Sequence, residues 1–137
     1  MNKKSIFNDK VVWITGASSG IGEALVHEFA GLGARVIASS NDPEGLERVK
    51  LACGRPDAVS CESFDLADTS EIDKIVENQI SAFGQIDYLL NIGGISQRSR
   101  IEETPLWLDR KIFEINYFGT VALAKAVLPY MLSRKSG

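Results

Sequence analysis

Residues 10–22 read Lys-Val-Val-Trp-Ile-Thr-Gly-Ala-Ser-Ser-Gly-Ile-Gly. An apolar, β-prone run from Val11 to Ile14 breaks into a turn holding Gly16, Gly20 and Gly22. The periodicity then changes to that of a helix. A strand that hands its chain to a helix N-terminus through glycines presents unpaired N–H groups and the positive end of a helix dipole. Glycines also remove the side chains that would keep a pyrophosphate at a distance. The spacing GxxxGxG is not the literal GxGxxG fingerprint, but the physics is the same. Gly16, Ser18, Ser19, Gly20, Ile21 and Gly22 are therefore the candidate phosphate cradle, with the two serine hydroxyls as added donors.

The same alternation continues outward. Strands are expected at Lys10–Thr15, Ala34–Ser39, Asp57–Phe64 and Ile86–Asn91. Helices are expected from about Gly20 to Leu32, Pro43 to Cys53 and Asp68 to Phe83, the last opened by a capping box with Asp68 as N-cap. A final helical stretch should run from Thr104-Pro105 to about Leu132, with Pro129 bending or ending it. Repeated strand–helix units give an α/β fold: a parallel sheet with helices on both faces. The first helix should turn Ile21, Leu25 and Phe29 inward and leave His27 on the solvated side. One side of the fourth strand should be an open apolar edge, which favours self-association or a homo-oligomer.

Composition excludes several classes. A chain of 137 residues with 45% hydrophobic and 24% charged residues suits one soluble domain. A net charge of −3 offers nothing to nucleic acid or an anionic membrane. No apolar run approaches the ~20 residues that span a bilayer. Cys53 and Cys61 make neither a disulfide framework nor a zinc set, so a reduced, cytoplasmic setting without a bound metal is expected. A phospho-acceptor regulator shares the alternating pattern but needs clustered acids at strand ends, and only Asp65 fits.

Thr15–Gly22 after Lys10–Ile14 also resembles the short-chain dehydrogenase/reductase family, whose pattern at this place is TGxxxGxG. The resemblance implies a Rossmann-type fold, an NAD(P)(H) cofactor and hydride transfer between an alcohol and a carbonyl. Asp65-Leu66 is similar to the family's adenine-contacting motif. Asn91-Ile92-Gly93-Gly94 stands where the family has NNAG, with Asn91 and Gly94 matching. The stretch Gly93–Ser99 resembles a subgroup acting on carbonyls, retinoids or steroids, and the N-terminal membrane anchor frequent in that subgroup is not expected here. Asn116-Tyr117-Phe118-Gly119 matches NxxG, which implies a catalytic role for Asn116 in holding a water beside the catalytic lysine. Its mostly apolar helix face predicts that Asn116 is buried and must find partners.

About 20 residues beyond the glycines, an acid would read the ribose 2′-OH of NAD. Ser39-Ser40-Asn41 lie there instead, placed to donate to a 2′-phosphate, so NADP(H) is the expected cofactor and NAD the alternative; Asp42 is the one acid near enough to reach a ribose. The family's chemistry also needs a serine and Tyr-x-x-x-Lys. Here Tyr88 is followed four residues on by Ile92, Tyr117 by Val121 and Tyr130 by Arg134. Residues 1–137 thus resemble the N-terminal portion of such an oxidoreductase, a sheet truncated after about four strands, inactive alone. A non-catalytic dinucleotide-binding or interaction module is the alternative.

Overall fold

The computed structural model describes residues 5–137. The apolar run becomes strand β1 (Val11–Thr15), and every residue of it is buried. Burial on both faces is what a central parallel strand requires. After the glycine turn come α1 (Gly20–Gly31), β2 (Arg35–Ser40) and α2 (Pro43–Ala52). A short 3₁₀ turn at Pro56–Ala58 then leads to β3 (Val59–Ser63), α3 (Ile72–Phe83) and β4 (Tyr88–Leu90). The strands pair in parallel in the order β3-β2-β1-β4. The chain therefore builds outward through β2 and β3, then returns to the other side of β1, pairing Val12 with Tyr88 and Ile14 with Leu90. Strand order reverses between β1 and β4, and in open α/β sheets ligands bind in the crevice at such a switch point.

Helices cover both faces. Val12, Ile14, Val36 and Ala38 pack with Val26, Ala30, Leu46 and Val49 of α1 and α2. Val11, Trp13 and Ile37 pack on the other face with Ile72 and Val76 of α3 and with Leu123 and Val127 further along. The last helical stretch is continuous in three parts: α4 (Leu106–Phe113), a π-helical segment (Glu114–Gly119) and α5 (Thr120–Arg134). This α/β architecture is the expected one, with β3 and β4 as its edge strands.

Several local expectations fail. Asp68 does not cap α3: its carboxylate accepts both the amide and the hydroxyl of Ser70, closing a turn ahead of the helix, and α3 begins at Ile72. Pro129 does not end the last helix, which continues to Arg134. Leu123 and Val127 anchor it on the sheet before the proline, and the Arg134 guanidinium donates to Ile86 O at 3.2 Å after it. On α1 the fully buried face is Gly22, Val26 and Ala30, with Leu25 and Phe29 half-buried beside it. Ile21 is 71% exposed, one residue out of register with the expected apolar side. The stretch Leu106–Arg134 is long and apolar enough, by length and composition, to cross a bilayer. Charges at Asp109, Arg110, Lys111, Glu114 and Lys125 interrupt every apolar run within it, which is why a search for unbroken runs passes over it.

Candidate functional site

At the carboxyl ends of β1, β2 and β4 lies a cleft of about 380 Å³. Its walls come from the glycine turn, from Ser39–Asn41, from Phe64–Leu66 and from Ile92–Ile95, with Ile115 closing one side.

The glycine turn owes its shape to three different constraints. Gly16 has φ +65°, and a Cβ there would lie 2.7 Å from Gly93 Cα, so β1 and the end of β4 touch backbone to backbone. A Cβ on Gly22 would lie 2.0 Å from Gly16 O, so the first turn of α1 folds directly against the turn that precedes it. Gly20 has φ +55°, yet a Cβ there would meet nothing within 4 Å. That glycine supplies the left-handed backbone and leaves open space in front of the helix. Ser19 stands extended at the N-cap, and its side chain makes no capping bond. The amides of Ser19, Gly20 and Ile21 find no acceptor among the described residues. This is the arrangement that receives an anion.

Thr15 ties the turn to the opposite wall. Its buried hydroxyl oxygen accepts the amides of Ile92 at 3.1 Å and Gly93 at 3.0 Å. Reading the sequence locally misses this residue, because its partners lie in β4's trailing loop. On the β2 side, Ala17 N donates to Ser39 O at 3.0 Å, and the Ser18 and Ser40 hydroxyls sit 2.8 Å apart. Ser40 Oγ also accepts the amide of Asp42 at 3.1 Å. Ser40 Oγ keeps a second lone pair beside the one that accepts Asp42 N, so either hydroxyl can be the donor of the Ser18–Ser40 pair. Asp42 itself turns away: its carboxylate accepts Gly45 N at 2.9 Å and caps α2.

Every sequence-derived cofactor residue lines the cleft except Asn91. Asn91 is exposed and lies off the wall that Ile92 reaches, since neighbouring side chains leave the end of a strand on opposite sides. Ser39 lines the cleft without offering a free hydroxyl to a phosphate as expected: its Oγ is buried and accepts Trp13 Nε1–H at 2.7 Å on the far face of the sheet. Asp65 is exposed; its Oδ1 accepts Ala67 N at 2.8 Å, leaving Oδ2 for another donor. Leu66 fills the floor, and a Cβ on Gly93 would meet Leu66 Cδ1 at 2.8 Å. Gly94 gives way to Asn116, whose Oδ1 would lie 3.2 Å from a Cβ there.

Asn116 is exposed, not buried. The π-helical segment turns it toward the β4 loop instead of the sheet. Its Oδ1 accepts Ile95 N at 2.8 Å and its Nδ2 donates to Ile95 O at 2.8 Å. One side chain thus satisfies both backbone groups of one loop residue and keeps one hydrogen and one lone pair in reserve. Gly119 completes the approach of this helix, because a Cβ there would lie 2.2 Å from Leu66 O. Among the described residues no group of three or more His, Cys, Asp or Glu is arranged to hold a metal, and both cysteines are free thiols.

A doubly wound parallel sheet with a glycine turn and an open helix N-terminus at its switch point is the architecture of dinucleotide-binding α/β proteins. A family profile described as short chain dehydrogenase matches residues 10–137. The human protein "Dehydrogenase/reductase SDR family member 7" is 43% identical over 134 residues, which cover 94% of this chain and 40% of that protein. The Drosophila melanogaster "Dehydrogenase/reductase SDR family protein 7-like" is 44% identical over 133 residues, covering 93% of this chain and 41% of its own length. Among solved structures, a short-chain dehydrogenase from Streptomyces avermitilis superposes with a TM-score of 0.87 at 35% identity, over 95% of this chain and 47% of that one. The chain belongs to the short-chain dehydrogenase family. It spans less than half the length of these relatives.

Proposed function

We propose that this chain is the cofactor-binding portion of an NADP(H)-dependent oxidoreductase acting on an alcohol or carbonyl. The observation that carries the reading is the open space before Gly20, faced by the free amides of Ser19, Gly20 and Ile21. Those amides would take the pyrophosphate. Asp65 Oδ2 suits the adenine amino group, and Gly93 and Gly94 let backbone approach the nicotinamide end closely. When bound, the nicotinamide supplies or receives the hydride.

The preference for NADP(H) over NAD(H) rests on Ser18, Ser40 and Asn41 at the cleft rim, and on Asp42 being spent as a helix cap. The Asp42 carboxylate is directed at the N-terminus of α2, whose positive end offsets its charge, and away from a 2′-phosphate in the cleft. Asn116, through its hold on Ile95, keeps the loop after β4 in place and has capacity left for one water. The proton-transferring tyrosine and its lysine partner are absent from residues 1–137, so this reading assigns them, and the substrate determinants, to further sequence. The free edge of β4 and the exposed Trp107, Phe113 and Phe118 give the chain surfaces for self-association.

Titration of the purified chain with NADPH and NADH, followed by reduced-nicotinamide fluorescence, tests the proposal. Binding of NADPH ahead of NADH, with no oxidation of added alcohols, is expected. Failure to bind either dinucleotide refutes the cofactor reading. Preference for NADH removes the NADP(H) assignment, and steady turnover refutes the view of the chain as a portion.

A further inference from the structure

Arg48 lies outside the cleft, on α2, yet it makes the one polar side-chain contact from that helix to the glycine turn among the described residues. Its Nη1 and Nη2 donate to Glu23 Oε1 and Oε2 of α1, each at 2.9 Å. Nη2 also donates to the carbonyl oxygen of Ser18 at 2.8 Å. The paired contacts with the carboxylate fix the plane of the guanidinium, as a bidentate fork does. Proximity is arranged one helical turn earlier: a Cβ on Gly45 would lie 2.9 Å from Ser18 Cβ, so α2 approaches the turn closely, and residue 48 falls on the same helix face as residue 45.

The consequence follows from peptide geometry. The chain has no cis peptide bond among its described residues. In a trans peptide the C=O and the following N–H point in opposite directions. A Ser18 carbonyl drawn outward to Arg48 therefore turns the Ser19 N–H inward, to the side that receives a phosphate. We propose that Arg48 is a positioning residue of the cradle: from outside the cleft, braced by Glu23, it holds the Ser18–Ser19 peptide in the orientation that binds the anion. This rests on the dinucleotide-binding reading above for its purpose, but not for its geometry. A lysine could supply the charge without the fork, and a methionine neither.

Two measurements on the whole chain test it. Amide hydrogen exchange without ligand is compared among wild type, Arg48→Met and Arg48→Lys, and NADPH affinity is measured on the same three. In Arg48→Met the bonded amides that flank the Ser18–Ser19 peptide, Ala17 N on Ser39 O and Glu23 N on Ser19 O, should exchange about three- to tenfold faster, the range expected for losing exposed charge-assisted bonds. The rest of α1 and the sheet should keep their protection. The NADPH dissociation constant should rise by a similar factor, with Arg48→Lys between the two. Unchanged exchange at the turn overturns the proposal, as does a loosening spread evenly over α1 and α2, which marks an ordinary surface ion pair. If the wild type binds no NADPH, the cofactor reading falls, and the exchange comparison still decides whether Arg48 holds the peptide.

Discussion

Replacing Thr15 by valine keeps the shape of a buried side chain and removes one oxygen. That oxygen accepts two backbone amides, Ile92 N at 3.1 Å and Gly93 N at 3.0 Å. The two losses are unequal. Ile92 N has a second acceptor in Leu90 O at 3.2 Å, whereas Gly93 N has no other among the described residues. An orphaned donor away from water costs about 1–3 kcal/mol, so Thr15→Val should destabilise by about 2 kcal/mol, nearly all of it from Gly93. Thr15→Ser is the informative control: it retains the acceptor and gives up a methyl group, worth about 1 kcal/mol. Urea unfolding of the three proteins, followed by circular dichroism, measures both. The serine variant should be the more stable, although valine is the closer match in shape. The melting temperature of Thr15→Val should fall by roughly 6–8 °C for a domain of this size. If Thr15→Val unfolds within about 0.5 kcal/mol of wild type, or above Thr15→Ser, the hydroxyl does not join β1 to β4 and the account of the cleft is wrong.

Gly22→Ala should abolish NADPH binding, read by nicotinamide fluorescence, because its Cβ would sit 2.0 Å from Gly16 O and the turn must open to admit it. Gly20→Ala, whose Cβ meets no protein atom but stands in the space assigned to the pyrophosphate at a φ of +55°, should also weaken binding while destabilising the fold less than Gly22→Ala, and equal losses of stability would count against the steric argument. The Glu62 carboxyl titrates above its ordinary value of 4.5, because burial disfavours its charge more than the bond from Gln79 favours it. A carboxyl with a raised folded pKa lends stability at low pH and loses it as pH climbs through that pKa. Glu62→Gln should therefore raise the melting temperature at pH 7–8, with the gain closing below the ordinary glutamate pKa, and a gain that grows on acidification would contradict this.

The sheet and the cradle are legible in the sequence because their signals are local. An apolar run followed by glycines marks β1 and its turn, and each later strand repeats the pattern. What is hidden depends on parity or on distance. Ser39 and Ser40 look equivalent as letters, yet along β2 Ser39 shares a face with Ile37 and meets Trp13, while Ser40 faces Ser18. Counting in twos along the strand would have separated them. Asn116 was readable as a residue in need of partners, but its apolar neighbours pointed to the core. The π-helical segment, which turns it to Ile95, leaves no mark in the residue pattern. Thr15, Arg48 and Glu23 act across long sequence separations, through contacts that exist only once the sheet has assembled.

The last helix holds β4 at both of its ends. Asn116 grips Ile95 beyond the strand, and Arg134 reaches Ile86 before it. Both grips are carried by one continuous helical stretch, Asn116 on its π-helical segment and Arg134 at the end of α5. The helix spaces its two grips to the two ends of the segment that carries β4. Inserting or deleting one residue between its two grips would swing one of them about 100° around the axis, away from its partner. This interval should therefore tolerate changes of residue far better than changes of length.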